Sequence, residues 1–204
     1  MRLRAPLSIA FTAALLLAAP FTPIAAQKSG ARSGAGASVG APHRFAWVLE
    51  GGLEMGGDVL LEIPFTDGST QDMRAGQGGT VAFGAEVRGA RLGLRATAGL
   101  KYNTTAADNA NIAFTRVPVE AVLSWYPSTN LRLGGGVSYH TAVHLNGDGF
   151  LPDFDADAAM GTTAEIGYKW FAVTYTSLTY EFPGAAPIDA SSVGISLTYL
   201  FGKR

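Results

Sequence analysis

Residues 191–204 read SSVGISLTYLFGKR. From Val193 every second residue is large and apolar: Val193, Ile195, Leu197, Tyr199 and Phe201. Gly194, Ser196 and Thr198 lie between them, and only Leu200 breaks the polarity. Alternation with a period of two marks a β-strand with one apolar face. A strand of this kind at the end of a chain needs a medium for its apolar face and a partner for its edge.

The pattern recurs upstream. In residues 44–65, RFAWVLEGGLEMGGDVLLEIPF, one parity carries Phe45, Trp47, Leu49, Leu53, Met55, Val59, Leu61, Ile63 and Phe65, and the other carries Glu50, Glu54, Asp58 and Glu62. A helix would align the acids but would suffer from two Gly-Gly pairs. The spacing therefore predicts one long strand. Further strands are predicted where Val81, Phe83 and Val87 alternate with Thr80 and Glu86, and where Leu92, Leu94, Leu100 and Tyr102 alternate with Arg95 and Lys101. The same holds where Val117, Val119, Leu123 and Trp125 alternate with Arg116 and Glu120. Leu131, Leu133, Val137, Tyr139 and Val143 alternate with Arg132, Ser138, His140 and His144, and Met160, Ile166 and Tyr168 alternate with Thr163 and Glu165. Residues 171–182, FAVTYTSLTYEF, change parity between Tyr175 and Leu178, which a bulge near Thr176 would reconcile.

The joins alternate in length. Short ones fall at Gly89, after Tyr126 and near Lys169; long ones contain TDGST, with a flared hairpin expected around it, TTAADNAN, NGDGFLPDFDADA and PGAAPIDA. An even meander with short turns at one end and long loops at the other predicts an all-β fold. It is an eight-stranded antiparallel up-and-down transmembrane β-barrel with short periplasmic turns and longer extracellular loops. Pairing of the last strand with the first would leave no open edge. Trp47, Trp125 and Trp170 all fall at the short-turn ends, as do Tyr199 and Phe201. They form a predicted periplasmic aromatic belt at head-group level.

The rest of the chain fits export. Residues 1–26 carry Arg2 and Arg4, an apolar run broken by Pro20 and Pro23, and small residues at Ala25 and Ala26. This is the layout of a cleaved signal peptide. Residues 27–43 are a Gly/Ala/Ser-rich flexible lead-in, residues 44–201 the barrel, and residues 202–204 a short basic tail. Loss of the leader removes two arginines and no acid, which leaves a mildly acidic chain without a basic stripe, so nucleic acid is excluded as a partner. There is no cysteine, which excludes disulfides and thiolate metal sites.

On these residues the chain resembles the small eight-stranded outer-membrane barrels of Gram-negative bacteria, the OmpA/OmpX-like proteins. The resemblance implies that Ser192, Gly194, Leu197, Tyr199 and Phe201 are the signal read by the barrel-assembly machinery. The family pattern ends on the aromatic, whereas Gly202, Lys203 and Arg204 follow here. It also implies localisation in the bacterial outer membrane, with membrane lipid and lipopolysaccharide as partners. No cofactor is expected, and the chain is expected to be a monomer.

A soluble barrel would place the large apolar residues inside. The other parity is Gly, Ser, Thr and charge, which could not close-pack as a core. The predicted lumen therefore carries Glu50, Glu54, Asp58, Glu62, Glu86, Glu120 and Glu165 against Arg95, Lys101, Arg116, Arg132 and Lys169, with His140 and His144. An eight-stranded barrel is just wide enough for side chains to fill, and buried charges must pair. The expectation is a plugged lumen in which Glu54 or Asp58 pairs with Arg95, Arg116 or Arg132. This favours a structural or surface-interaction role; the alternative is a narrow channel for small solutes or ions. A lipid-modifying enzyme is a further alternative. Barrel deacylases similar to this chain use His-x-Ser, but Ser138-Tyr139-His140 runs in the reverse order, and no enzyme is expected. In the loop 146–158, Asn146 and the weak metal candidates Asp148, Asp153, Asp155 and Asp157 are hard oxygen donors suited to Ca²⁺.

Overall fold

The computed structural model describes residues 44–64, 70–107, 110–149, 152–182, 184 and 186–202. The leader, the lead-in, Phe65, Lys203 and Arg204 lie outside the described residues. The strands are β1 (Arg44–Met55), β2 (Val59–Pro64), β3 (Thr70–Arg74), β4 (Gly78–Arg88), β5 (Leu92–Ala107), β6 (Ala110–Trp125) and β7 (Leu131–Asn146). They continue as β8 (Phe154–Ala156), β9 (Ala159–Tyr168), β10 (Phe171–Ser177), β11 (Thr179–Tyr180), β12 (Ile188–Asp189) and β13 (Ser192–Phe201).

Eight of these strands close a circuit. β1 pairs with β4, then β5, β6, β7, β9, β10 and β13 follow in turn, every pair antiparallel. β13 returns to β1, from Trp47 opposite Phe201 to Met55 opposite Val193. The edge of the final strand is thus occupied, and its two faces differ. Ser192, Gly194, Ser196 and Thr198 are buried inside, while Val193, Ile195, Leu197, Tyr199 and Phe201 are exposed outside. The same division runs round the barrel. Met160 is 73% exposed and Ile166 63%, whereas Arg116 is fully buried. In a water-soluble fold these burials would be exchanged.

Four expectations need correction. The first predicted strand breaks at Gly56-Gly57, where φ is +135° and +80°. A Cβ at Gly57 would lie 2.6 Å from the Gly76 backbone nitrogen, so only glycine fits this bend. Beyond it, β2 leaves the barrel and forms a separate hairpin with β3. Second, no bulge interrupts β10, whose pairing with β9 continues through Thr176–Thr163 and Ser177–Thr162. Leu178 and Tyr180 stay on the inward parity and are buried. Third, much of TTAADNAN is strand rather than loop, since β5 and β6 stay paired up to Ala107 opposite Ala110. Fourth, β7 carries an extra residue where Ala142 has φ +49°, and the register against β6 shifts between Thr115 and Val117. That bulge turns Val143 and Leu145 inward and takes His144 off the lumen face predicted for it.

These corrections all fall at the long-loop end of the barrel. β5, β6 and β7 each run for 16 residues, more than the ~9–11 that cross a hydrocarbon layer. At the long-loop end their inward residues turn apolar. Ile112, Phe114, Val143, Leu145, Leu178 and Tyr180 pack with Met73, Ala75, Ala159 and Ala190 as a small core. A cap with an apolar interior therefore sits on a barrel with a polar one.

Candidate functional site

The lumen is built in layers. Toward the short-turn end Glu165 is the hub. Its Oε1 lies 3.0 Å from Arg132 Nε and its Oε2 lies 2.5 Å from Arg95 Nη2. The Ser124 hydroxyl donates to the same carboxylate at 3.2 Å. Arg95 also reaches Glu50, with Nε 3.6 Å from Oε2. Arg132 donates to Thr198 Oγ1 at 3.2 Å and to the Lys169 carbonyl at 3.1 Å. Deeper toward the long-loop end, Lys101 Nζ contacts Glu54 Oε2 at 2.8 Å, and Ser192 donates to that oxygen at 2.6 Å. Ser138 donates to Glu120 Oε1 at 3.0 Å.

Glycines make this density of large side chains possible. A Cβ at Gly134 would lie 2.5 Å from Glu165 Cγ, one at Gly167 would lie 2.7 Å from Arg132 Cγ, and one at Gly194 would lie 2.5 Å from Glu54 Cγ. Each glycine stands in the hollow its charged neighbour fills. The signal was visible as glycine on the lumen parity, but which charge each one faces depends on the stagger between strands.

Of the predicted lumen residues, Glu50, Glu54, Arg95, Lys101, Arg132 and Glu165 are brought together as ion pairs. Glu120 lies in the same lumen, on the Ser138 hydroxyl. Asp58 and Glu62 are corrections: both are exposed, beyond the break in the first strand. Asp58 Oδ2 accepts instead from the Asp189 backbone N–H at 2.9 Å, tying the β2–β3 hairpin to β12. The predicted partners of Glu54 are also corrected, because Lys101 takes that place. Arg116 pairs with no carboxylate among the described residues. Its Nη2 donates to the Gln77 carbonyl, and its guanidinium lies 4.2 Å from the Phe114 ring centroid, at the boundary between charged lumen and apolar cap. Lys169, with φ +56°, is exposed in the β9–β10 turn rather than in the lumen.

Both ends of the charged column are closed by tyrosines. Tyr126, in the turn after β6, donates to Glu86 Oε1 at 3.0 Å. Burial, with the Glu86 carboxylate adding to it, pushes this phenol up to about 12. At the long-loop end the Tyr180 hydroxyl lies 2.5 Å from His140 Nδ1. Burial pushes the Tyr180 phenol up to about 12. The space left between is a cavity of about 30 Å³ bordered by Glu50, Glu54, Lys101, Glu120 and His140, with room for one or two waters. Ser138 and His140 each engage another partner, Glu120 and Tyr180, and the geometry gives no nucleophile–base pair between them.

The acidic loop does not assemble a cation site among the described residues. Asp155 Oδ1 lies 2.7 Å from His144 Nδ1, and Asp153 accepts from the Gly147 backbone N–H at 3.0 Å. Asp148 donates its backbone N–H to Asn146 Oδ1 at 2.9 Å. Asp157, just before β9, donates its N–H to the Glu181 carbonyl at 3.1 Å. Among the described residues, Asp148, Asp153, Asp155 and Asp157 make these contacts with His144 and with backbone and side-chain groups of the loop and neighbouring strands.

On the outside, Trp47, Trp125, Trp170, Tyr199 and Phe201 all project from the short-turn end. Trp47 stacks on Phe83 with ring centroids 5.5 Å apart, and Tyr199 stacks on Phe201 at 6.0 Å. Tyr102, Tyr139 and Tyr175 are exposed farther toward the long-loop end, and periodicity alone did not distinguish them from the aliphatic band. In β13, Ser192 and Gly194 face Glu54 inside, and Leu197, Tyr199 and Phe201 face outward.

No family model matches the sequence, and no curated protein matches it. Among solved structures, the crystal structure of Ail, the attachment invasion locus protein of Yersinia pestis, is similar at 8% identity with a TM-score of 0.42. The overlap covers 78% of this chain and 99% of that one. The complex of the same protein with the heparin analogue sucrose octasulfate is similar at 10% identity with a TM-score of 0.39, over the same shares of the two chains.

Proposed function

We propose that this chain is an integral outer-membrane β-barrel with a plugged lumen, serving a structural or surface-interaction role through its capped, long-loop end. One observation carries the reading: a closed barrel exposes large apolar side chains all round its exterior while ion-paired charges fill its interior. Exposed apolar area on this scale is unfavourable in water and favourable in lipid. The backbone is compatible with lipid because a closed barrel has no unpaired edge. In this reading residues 1–26 direct export and are removed. Ser192, Gly194, Leu197, Tyr199 and Phe201 address the barrel to the assembly machinery, and the aromatic end faces the periplasm.

The ion-paired lumen favours this role over that of a channel. The hub at Glu165 ties four strands, β5, β6, β7 and β9, across the bore, so opening a water path would separate buried charges. Purified protein in planar bilayers is expected to show no large, stable ion conductance. Steady openings of uniform size would overturn the plugged reading in favour of a narrow channel.

A further inference from the structure

The short-turn end of the barrel bears a charge arrangement that folding alone does not explain. Arg44 in β1 and Arg88 in β4 are direct cross-strand partners. Like charges placed opposite one another destabilise a strand pair. Neither has a carboxylate partner among the described residues. The nearby Glu86 is buried and already accepts from Tyr126. Arg88 is held in place, with its guanidinium 3.5 Å from the centroid of the Tyr126 ring. Arg91 and Lys169 add positive charge in the turns of the same end. Every described carboxylate outside the lumen belongs instead to the long-loop end.

These two arginines border a groove of about 510 Å³. Its lining joins two environments. Arg44, Arg88 and Thr129 supply the polar part at the barrel mouth, together with Glu86, whose carboxylate accepts from Tyr126, and Phe45 and Phe201 supply an apolar part continuous with the exposed outer band. A free inorganic anion would use only the first part. An amphipathic anion uses both.

We propose that this rim groove binds a phospholipid with an anionic headgroup. Its phosphate bridges Arg44 and Arg88 while an acyl chain lies along Phe45 and Phe201. A phosphate accepts charge-assisted bonds from guanidinium groups and relieves the repulsion between the paired arginines. The proposal rests on the reading that the exterior meets lipid.

The test uses the full chain purified in detergent and titrated with phosphatidylglycerol, phosphatidylcholine or inorganic phosphate, with bound species read by native mass spectrometry. Phosphatidylglycerol is expected to be retained in preference to phosphatidylcholine. The double variant R44Q/R88Q should weaken that retention by about tenfold or more, and Arg74→Gln at the opposite end should leave it unchanged. R44K/R88K keeps the charge without the planar fork and should fall between; it decides the question should the Gln variant not fold, folding being read from heat-dependent gel mobility. Equal retention by the wild type and a folded double variant overturns the proposal while leaving the membrane reading intact. Displacement of the lipid by equimolar inorganic phosphate, with Phe45→Ala without effect, overturns the lipid as occupant. A chain that stays monodisperse without detergent overturns the membrane reading and the proposal with it.

Discussion

Glu165 is the residue on which the lumen turns. It holds two guanidinium groups and a serine hydroxyl inside the barrel. Removing one member of a buried ionic group leaves uncompensated charge, which costs about 3–5 kcal/mol. Glu165→Ala is therefore expected to lower the unfolding free energy of the refolded barrel, read from urea titration, by that amount, with Glu165→Gln less damaging because it keeps a hydrogen-bond acceptor. An unfolding free energy within about 0.5 kcal/mol of wild type for the alanine variant would show that the ion pairs do not hold the lumen. The charges themselves were legible in the sequence, because period two assigns each residue to a face. Their partners were not. Glu54 meets Lys101 rather than an arginine because strand stagger, set by closure, decides which residues share a level. Asp58 was misassigned for a local reason: parity cannot register a bend at Gly56-Gly57 that removes the rest of the segment from the barrel.

At the scale of elements, the barrel strands and the cap have different internal logic. Within the barrel, inward means polar. Above it, inward means apolar, as at Phe114, Leu145 and Tyr180. The sequence shows that switch at Leu178 and Tyr180 as a change of parity, which is indistinguishable from a bulge when only spacing is read. The real bulge, at Ala142, left the sequence pattern looking regular through Val143. Phe114 is fully buried and lies edge-on to Tyr180, with ring centroids 6.0 Å apart. Phe114→Ala should cost about 3–5 kcal/mol, and the loss should fall on the cap. Limited proteolysis is expected to cut the β2–β3 and β11–β12 hairpins in this variant while heat-dependent gel mobility still reports a closed barrel. Simultaneous loss of both signals would mean that cap and barrel form one cooperative unit.

Tyr180 gives the cap a defined response to alkali. Burial raises its folded-state pKa to about 12, above the ordinary value near ~10. A group whose folded pKa is raised holds its proton more tightly in the native state. Its stabilising contribution is complete below pH ~10 and is lost as pH rises toward about 12. Protection of the β11 and β12 amides, relative to their intrinsic exchange, should fall across that window, and Tyr180→Phe should flatten the response. Protection in these strands that does not change up to pH ~12 would contradict the assignment.

For the whole molecule, the decisive feature is the inversion of burial. SSVGISLTYLFGKR shows the alternation on which it rests, one parity small and hydroxylated and the other large and apolar. In the structure the first face of β13 lies against Glu54, Thr174 and Arg132, and the second stands exposed beside Trp47 and Phe83. What covers that second face is the central question, and the three tryptophans report on it directly because all lie at one end of the band. The measurement is quenching of tryptophan fluorescence after refolding into bilayers whose lipids carry bromine at defined depths. Strong quenching is expected, greatest for bromine nearest the headgroups and weakest for bromine at the chain ends. Fluorescence unaffected by bromine at any depth would contradict the account, because Trp47, Trp125 and Trp170 would then face water.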